Sequence, residues 1–396
     1  MNIRTLGLYA TVVFGGLAGT TPSGLSSSDA VRLLRVPHGG IQPEIAIGDR
    51  GVLHALYFLG EPRAGDLFYV RSSDNGVTFS EPIRVNSQVA SAIAAGTVRG
   101  GQLALGRGSR VHVVWNGSDA ARPRGGVNPG TGRAGMPLLY TRLNRSGTAF
   151  EPQRSMMRRT FNLDGGASIT ADRSGNVMVA WHGNDAEGAD ANEGSRRVWI
   201  ARSSDEGRTF ARESPAWTEP TGACGCCGMR MLAASNNTVH LLYRSATGLV
   251  NRDVYLLTSA DGLTFRGTRI HEWQVAACPM TSMSLADANS RIHGAWETDG
   301  QVYFAPLGGT GSISRPVAPP GGARGRKHPR IAVNTTGQIL LTWTEGASWA
   351  RAGTLRWQLF DASGQPVGQL GGGEEVPVWS FAAPVARADG KFAIFY

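Results

Sequence analysis

The sequence predicts an all-β fold, because strand-like segments recur along the chain and no segment has the pattern of a helix. Of its 396 residues, 54 are glycine, 20 are proline and 10 are tryptophan, and such a mixture favours many short strands. No stretch combines a sustained 3.6-residue apolar period with helix caps. A repeat array can reach this length, since each added unit buries a face against its neighbour.

A unit of two strands and a tight turn recurs seven times. Each copy has an apolar strand, a polar turn and an alternating strand that ends in an aromatic residue, as in LALGRGSRVHVVW. The alternation is the two-residue period of a strand, and the turns carry Gly, Asn or Asp where a positive φ is needed. The aromatic ends lie 47 to 66 residues apart, at Tyr57, Trp115, Trp181, Tyr243, Trp296, Trp343 and Tyr396.

A second hairpin follows each of the first six units, and its turn carries a motif. RSSDNGVTF and RSSDEGRTF fit S-x-D-x-G-x-T-F, and TSADGLTF is a displaced version. The Asp carboxylate and Ser hydroxyl of such a turn bond to backbone, Gly takes the unusual dihedral, and the aromatic ring packs beneath. We therefore predict a structural role for Ser72, Asp74, Gly76, Thr78, Phe79, Ser203, Asp205, Gly207, Thr209, Phe210, Asp261, Gly262, Thr264 and Phe265.

Four strands per repeat make one blade of a β-propeller. The last repeat, residues 384–396, supplies only two strands, and residues 31–36 could add another. Seven blades are therefore favoured, closed by pairing of the two chain ends, with six blades as the alternative. We expect one domain over residues 29–396, with blades 1 to 6 starting near Gln42, Gly101, Ala167, Met229, Met283 and Arg330.

The start of the chain predicts export. Arg4 is the only early charge, and residues 6–18 form an apolar run of 13 residues, too short to span a bilayer comfortably. We expect a signal peptide and flexible tail over residues 1–28, and a secreted or periplasmic protein that is not inserted in the membrane once the signal is removed. An uncleaved anchor is the alternative.

On its in-phase repeats and S-x-D-x-G-x-T-F turns, the chain resembles the Asp-box (BNR-repeat) β-propellers of the sialidase superfamily over roughly residues 38–396. CGCC and ACPM, with YRS between them, resemble segments of an uncharacterised bacterial sialidase-like subgroup. The superfamily implies six blades, and an exo-glycosidase that acts on acidic, sialic-acid-like glycans. Its site would lie opposite the Asp boxes, on residues that precede first strands or follow second strands. A non-catalytic propeller that binds a glycan or a protein is the alternative.

A sialidase-type site needs three arginines for the substrate carboxylate, because a planar guanidinium pairs with it through two hydrogen bonds. It also needs an acid/base Asp, and a Tyr nucleophile activated by Glu. Asp66 and Glu61 lie in the loop where the acid/base Asp is expected, but no Tyr is a convincing nucleophile. The residues predicted to bind substrate are Arg35, Arg99, Arg230, Arg330, His182 and Asp185.

Each of these residues also has a simpler interpretation. An arginine at the mouth of a propeller more often pairs with a neighbouring carboxylate than with a ligand, and His182 and His328 suit polar loop positions. Trp115, Trp181, Trp296 and Trp343 are predicted to pack between blades. Trp349 and Trp379 are freer to stack on a sugar.

All four cysteines lie in two segments, Cys224-Gly-Cys226-Cys227 and Cys278-Pro279, which precede the first strands of consecutive blades. Export favours disulfides, and a pairing between the segments would join blades 4 and 5. Free or redox-active thiols are another possibility. No cofactor is favoured, but a copper or zinc site is an alternative, with ligands among Cys224, Cys226, Cys227, Cys278, Met229 and His328.

The charge balance is basic, with 39 Lys and Arg against 30 Asp and Glu, a net charge of +9. A basic surface attracts anions but does not choose among acidic sugars, nucleic acid and anionic lipid. The excess is mostly dispersed arginine, unlike the Lys/Arg runs of nucleic-acid modules. We therefore expect no nucleic acid as a partner. The family resemblance implies a glycan or glycoprotein ligand, and we also expect a monomer. A thiol-based copper-binding or redox protein is the third functional hypothesis.

Overall fold

A computed structural model describes residues 30–188, 191–308, 313–322 and 325–396, so the predicted signal peptide lies outside the described residues. Three short 3-10 turns occupy Pro37–Gly39, Asp49–Gly51 and Arg107–Ser109. The strands in chain order are β1 Val31–Leu34, β2 Ile41–Ile47, β3 Leu53–Glu61, β4 Ala64–Ser72, β5 Ile83–Arg84, β6 Gln102–Leu105, β7 Val111–Asn116, β8 Val127–Asn128, β9 Arg133–Ala134, β10 Leu138–Arg142, β11 Arg154–Ser155, β12 Thr160–Phe161, β13 Ser168–Ala171, β14 Val177–Asp185, β15 Arg197–Ser203, β16 Ser214–Pro215, β17 Arg230–Ala233, β18 Val239–Arg244, β19 Val254–Ser259, β20 Arg266–His271, β21 Met283–Ala288, β22 Arg291–Thr298, β23 Gln301–Leu307, β24 Arg326–Val333, β25 Ile339–Glu345, β26 Gly353–Phe360, β27 Pro366–Val376, β28 Ala383–Ala386 and β29 Phe392–Phe395.

These strands form the blades of a seven-bladed propeller. Blade 1 is β2–β5, blade 2 is β6, β7, β10 and β11, blade 3 is β13–β16, blade 4 is β17–β20, blade 5 is β21–β23 and blade 6 is β24–β27. Blade 7 is β28, β29 and β1. Strand β12 pairs with the end of β14, and β8 and β9 form a separate hairpin in the long loop after Trp115.

The innermost strands show that the ring is closed. Strand β2 neighbours β6, β6 neighbours β13, and the series continues through β17, β21, β24 and β28 back to β2. Seven blades, favoured by the repeat, are confirmed, and the six-bladed alternative is wrong. The blades also start where the sequence predicts, except that β24 begins at Arg326, because a bulge between Lys327 and Arg330 lengthens it.

Blade 7 closes the ring with both parts of the chain. Strand β1 lies outside β29 and runs parallel to it, with Val31 opposite Phe392 and Leu34 opposite Phe395. The parallel direction follows from the connection: β1 leads into the first strand of blade 1, as the fourth strand of any other blade would. Strand β1 therefore runs in the direction of a fourth strand, although it is the third strand of blade 7 counted from the channel.

The apolar core lies between the blades. One cluster joins Val114 and Leu138 of blade 2 to Val179 and Trp181 of blade 3, and similar clusters fill the other blade interfaces. Each blade buries both faces against its neighbours, so the number of blades sets the amount of buried apolar surface. The predicted packing positions are confirmed, since the aromatic rings buried in these interfaces include Trp115, Trp181, Trp296 and Trp343.

The S-x-D-x-G-x-T-F turns are held by the hydrogen bonds that their sequence predicts. Asp74 Oδ1 accepts the backbone N–H groups of Val77 at 3.0 Å and Thr78 at 2.9 Å. Ser72 Oγ accepts the backbone N–H of Gly76 at 2.9 Å. The second copy repeats this pattern with Asp205 and Ser203, and in the displaced version Asp261 accepts the N–H groups of the two residues before Phe265.

The described part of the chain holds no helix long and apolar enough to cross a membrane.

The closing strand can be tested by a matched pair of substitutions. Val31 is 7% exposed and packs in the cluster that contains Leu340 and Ile394, whereas the next residue, Arg32, faces solvent. Val31→Asp should lower the free energy of unfolding by about 3 kcal/mol, because it buries a carboxylate without a partner. Arg32→Asp should have little effect. Urea unfolding followed by tryptophan fluorescence measures both, and equal effects would show that β1 does not close the ring.

Candidate functional site

A cavity of about 210 Å³ lies at one mouth of the central channel. Its wall comes mainly from the segments that precede the first strands of blades 2 to 7, which is the face opposite the S-x-D-x-G-x-T-F turns. Segments from six blades therefore meet at this mouth, as the topology predicts. The residues that line the cavity are Gly96, Thr97, Val98, Arg99, Asp164, Cys226, Cys278, Met280, Lys327, His328, Ser348, Trp349 and Trp379.

A buried carboxylate lies inside the channel. Glu44 of β2 is 3% exposed, and its carboxylate contacts polar side chains from three other blades. Arg230 Nη2 of blade 4 lies 2.9 Å from its Oε2, and Arg330 Nη2 of blade 6 lies 2.7 Å from its Oε1. Gln102 Nε2 of blade 2 donates to Oε1 at 3.0 Å. We call these four side chains the channel cluster.

The channel cluster is charged at neutral pH. Burial opposes ionisation of Glu44, but the guanidinium groups of Arg230 and Arg330 outweigh it and hold the pKa of this carboxyl below its ordinary value. One carboxylate thus faces two arginines in an interior where charges are costly unless paired. Removal of Glu44 would leave two guanidinium groups without a counter-charge at the centre of the ring.

Unusual backbone conformations occur at the same mouth. Gln42, Met280, His328 and Trp379 all have positive φ, from 48° to 59°, and all lie at or just before the first strands of their blades. A left-handed conformation is disfavoured for residues with a side chain, and it persists only where the surroundings hold it. Gln42 Nε2, for example, donates to the carbonyl oxygens of Ala94 at 2.8 Å and Trp379 at 2.7 Å.

The cavity combines aromatic faces with positive charge. The indole rings of Trp349 and Trp379 meet edge to face, with centroids 6.0 Å apart, and Trp349 is 41% exposed. The Arg99 guanidinium lies 5.6 Å from the centroid of the Trp349 ring, and its Nε donates to the Asp164 carbonyl oxygen at 2.9 Å. Lys327 Nζ donates to Glu297 Oε1 at 2.8 Å.

Burial shifts the pKa of two titratable side chains near the cavity towards the uncharged form. Burial lowers the pKa of His328 to about 3, so its imidazole is neutral at pH 7. Burial also raises the pKa of Glu297 above its ordinary value, although Lys327 opposes the shift. The cationic side of the cavity is therefore formed by Arg99 and Lys327, and not by histidine.

The cysteines form two disulfides, Cys224–Cys227 and Cys226–Cys278. The second bond confirms the predicted link between the segments that precede blades 4 and 5. Metal binding would require the reduced chain and stays a prediction. Among its other proposed ligands, Met229 packs in an apolar cluster and His328 lies at the cavity.

The predicted arginines separate into three environments. Arg230 and Arg330 converge on Glu44, whereas Arg99 lies at the cavity and pairs with Asp164. Arg35 does not join them, because it follows the outer strand β1 and its guanidinium lies 4.3 Å from the centroid of the Tyr396 ring.

The other predicted site residues do not line the cavity. Asp66 Oδ1 accepts hydrogen bonds from Asn86 Nδ2 at 2.6 Å and Ala90 N at 2.7 Å, and Glu61 is exposed at the β3–β4 hairpin. Asp185 Oδ1 pairs with Arg159 Nε at 2.8 Å. His182 is buried on β14 without a hydrogen-bond partner for either ring nitrogen, and burial lowers its pKa to about 4. Their roles in catalysis or binding stay predictions.

Sequence reasoning placed Glu44 and Lys327 at the mouths of first strands but gave neither residue a role in the site. A signal was present, because Gln42-Pro43-Glu44 and His328-Pro329-Arg330 share the pattern of a polar residue, proline and a charge. In both segments the structure has a bulge that turns the charged residue into the channel.

No protein-family model matches the sequence, and no curated protein matches it. Solved structures match its fold. An α-L-arabinofuranosidase from Fusarium graminearum matches with a TM-score of 0.52 and 12% identity, over 84% of this chain and 97% of that one. An ulvan lyase matches with a TM-score of 0.51 and 11% identity, over 88% of each chain. A sialidase from Trypanosoma rangeli matches with a TM-score of 0.51 and 12% identity, over 78% of this chain and 53% of that one. The fold is that of a sialidase-like β-propeller.

At such identities the likeness concerns the fold alone. The sialidase-like propeller spans 53% to 64% of the lengths of the sialidases that it matches. Its site must therefore be judged from its own residues.

The channel cluster generates a stability prediction. Glu44→Gln leaves Arg330, which is buried, and Arg230, which is partly buried, without a counter-charge, so it should lower the free energy of unfolding of the sialidase-like propeller by about 3–5 kcal/mol. Glu81→Gln, which removes an exposed carboxylate of blade 1, is the matched control and should change little. Urea unfolding at pH 7 measures both. A loss no larger than that of the control would contradict a stabilising role for the cluster.

The same variant isolates a pH effect. Because the folded chain holds the pKa of Glu44 below its unfolded value of about 4.5, ionised Glu44 contributes stability above that pH. This contribution is lost as the pH falls through the lowered pKa. The difference in unfolding free energy between the wild type and Glu44→Gln should therefore shrink below about pH 4.5. Urea unfolding between pH 7 and pH 3 checks this, and a constant difference would contradict it.

Proposed function

We propose that this sialidase-like propeller binds acidic glycans at the channel mouth. One sugar residue would stack against Trp349 and Trp379, and its carboxylate would face Arg99 and Lys327. The observation that carries the proposal is the meeting of two indole rings and two cationic side chains in one cavity.

The aromatic wall suits the apolar face of a sugar ring. Indole rings bury large areas and lose little conformational freedom, so they bind flat ligands well. Trp349 is partly exposed before any ligand arrives, whereas the tryptophans packed between the blades are buried, namely Trp115, Trp181, Trp296 and Trp343. Trp379 is fixed by the hydrogen bond from Gln42 to its carbonyl oxygen, which favours a preformed wall.

The charges favour an acidic sugar over a neutral one. Arg99 and Lys327 each have one protein carboxylate as partner, Asp164 and Glu297 respectively. Arginine has five N–H donors and the lysine ammonium has three, so donors remain available for a ligand carboxylate. A volume of about 210 Å³ lies below the roughly 300–1,000 Å³ of pockets for drug-sized ligands, which favours a single sugar residue inside the cavity.

The comparisons support a glycan as the ligand class. The matching structures include an α-L-arabinofuranosidase, an ulvan lyase bound to -[GlcA(1-4)Rha3S]- and a sialidase. The hydrogen-bonded turns around Asp74 and Asp205 support the assignment of these motifs as Asp boxes.

Hydrolysis of the sialidase type is a second candidate, favoured by the fold. Two features of the site weigh against it. Arg230 and Arg330, which were expected to hold a substrate carboxylate, already surround Glu44. Among the described residues, no tyrosine lines the cavity. We therefore place binding before catalysis.

We further propose that the protein is secreted or periplasmic and monomeric. The two disulfides support an oxidising compartment, because disulfides rarely persist in the cytosol.

Binding can be tested by substitution of the exposed tryptophan. Trp349→Ala should weaken binding of a sialylated or uronic-acid oligosaccharide by about tenfold or more, because it removes the stacking face. Leu263→Ala is the matched control, since Leu263 is 64% exposed on the opposite, Asp-turn face. Isothermal titration calorimetry measures the affinities. Equal affinities of the wild type and Trp349→Ala, or no binding by the wild type, would refute the proposed site.

The same oligosaccharides and their fluorogenic glycosides separate binding from catalysis. We expect the wild type to bind them without turnover. Release of the fluorophore at a rate that Trp349→Ala reduces would establish a glycosidase instead.

A further inference from the structure

The two disulfides of the mouth touch each other but differ in access. Cys224 Sγ lies 3.6 Å from Cys226 Sγ, so the bonds Cys224–Cys227 and Cys226–Cys278 are in contact. Cys278 is exposed and its disulfide lines the cavity, whereas Cys224 and Cys227 are each 2% exposed. A reagent in the cavity can therefore meet the outer disulfide before the inner one.

We propose that the four cysteines form a thiol–disulfide relay that accepts a low-molecular-weight thiol at Cys278. The thiolate of this reagent attacks Cys278 Sγ and forms a mixed disulfide, and the Cys226–Cys278 bond breaks with its electron pair on Cys226. The Cys226 thiolate then attacks Cys224 Sγ, its neighbour at 3.6 Å. A Cys224–Cys226 disulfide forms, the Cys224–Cys227 bond breaks, and Cys227 leaves as a thiolate.

The balance of the relay is closed without any other reactant. One external thiolate is consumed and one internal thiolate is produced. The total number of disulfide bonds stays at two, because the mixed disulfide on Cys278 replaces one internal bond. The net result moves the reactive thiolate from the cavity to the interior.

The surroundings of Cys227 favour it as the final leaving group. Thr281 Oγ1 lies 3.4 Å from Cys227 Sγ as a hydrogen-bond donor, and it accepts a hydrogen bond from Arg244 Nε at 2.7 Å. Arg244 is 1% exposed and donates to the carbonyl oxygens of Arg252 and Glu297. Within the described residues, no carboxylate lies within ion-pair distance of Arg244. A nearby cation lowers the pKa of a thiol and stabilises its thiolate.

The turn that carries the inner disulfide is held independently of the sulfur atoms. Cys224 N donates to the Arg244 carbonyl oxygen at 2.9 Å, and Gly225 N donates to Glu193 Oε1 at 2.7 Å. Glu193 Oε2 is fixed by Arg252 Nη2 at 2.7 Å. These contacts would keep Cys224 beside Cys226 while the bonds exchange.

Peptide mapping of the full chain tests the relay. The protein is incubated with glutathione, quenched in acid, alkylated with iodoacetamide and analysed by mass spectrometry without reduction. We expect glutathione on Cys278, a new Cys224–Cys226 link and an alkylated Cys227. The paired substitution Cys224→Ala with Cys227→Ala keeps the outer disulfide, and it should stop the reaction at glutathionylated Cys278 and alkylated Cys226.

Several outcomes would overturn the relay. These are a wild type without any glutathione adduct, an adduct on Cys226, or an adduct on Cys278 that leaves the Cys224–Cys227 link intact. Four thiols and a bound copper or zinc ion in the purified wild type, measured by thiol titration and metal analysis, would also overturn it.

A second pair of variants tests the leaving-group argument even if the cysteine variant fails to fold. Thr281→Val removes the hydroxyl donor to Cys227, whereas Thr281→Ser keeps it. Formation of the Cys224–Cys226 link should slow by about tenfold in Thr281→Val and return towards the wild-type rate in Thr281→Ser. Equal rates in the wild type and Thr281→Val would remove Thr281 and Arg244 from the mechanism.

Discussion

The sialidase-like propeller depends on one buried carboxylate at its axis. Apolar clusters hold neighbouring blades together, whereas polar and charged side chains of the innermost strands meet in the channel. Glu44 provides a common contact for side chains of blades 2, 4 and 6 across this space. Because a buried charge is tolerated only when it is paired, the cluster also fixes which side chains point inward.

The geometry of the mouth follows from this arrangement. The segments that precede the first strands must turn sharply between the outer strand of one blade and the axis. Positive φ values at Gln42, Met280, His328 and Trp379 are the result, and the last three of these residues line the cavity. Strain of this kind concentrates where function constrains the backbone, which supports the cavity as the functional site.

The sequence predicted the placement of several mouth residues but not their partners. Arg99, Arg230 and Arg330 lie at strand mouths as their position in the repeat requires. Arg35 also precedes the first strand of a blade, but it follows the outer strand β1, and the sequence around it does not show that difference. A link between the two cysteine segments was expected from topology, whereas the choice of Cys226 as the partner of Cys278 and the contact between the two disulfides required the folded turn.

The sequence favoured seven blades but left six open. By itself it determined the repeat, the alternating strands and the hydrogen-bonded turns. These features depend on residues that are near one another in the chain, such as Asp74 and Thr78, so local chemistry specifies them. Only the tertiary structure decided that Glu44 meets Arg230, 186 residues away, and that Trp349 and Trp379 share a wall. Contacts across the channel depend on how all seven blades are arranged around the axis, and no single segment of the sequence specifies that arrangement.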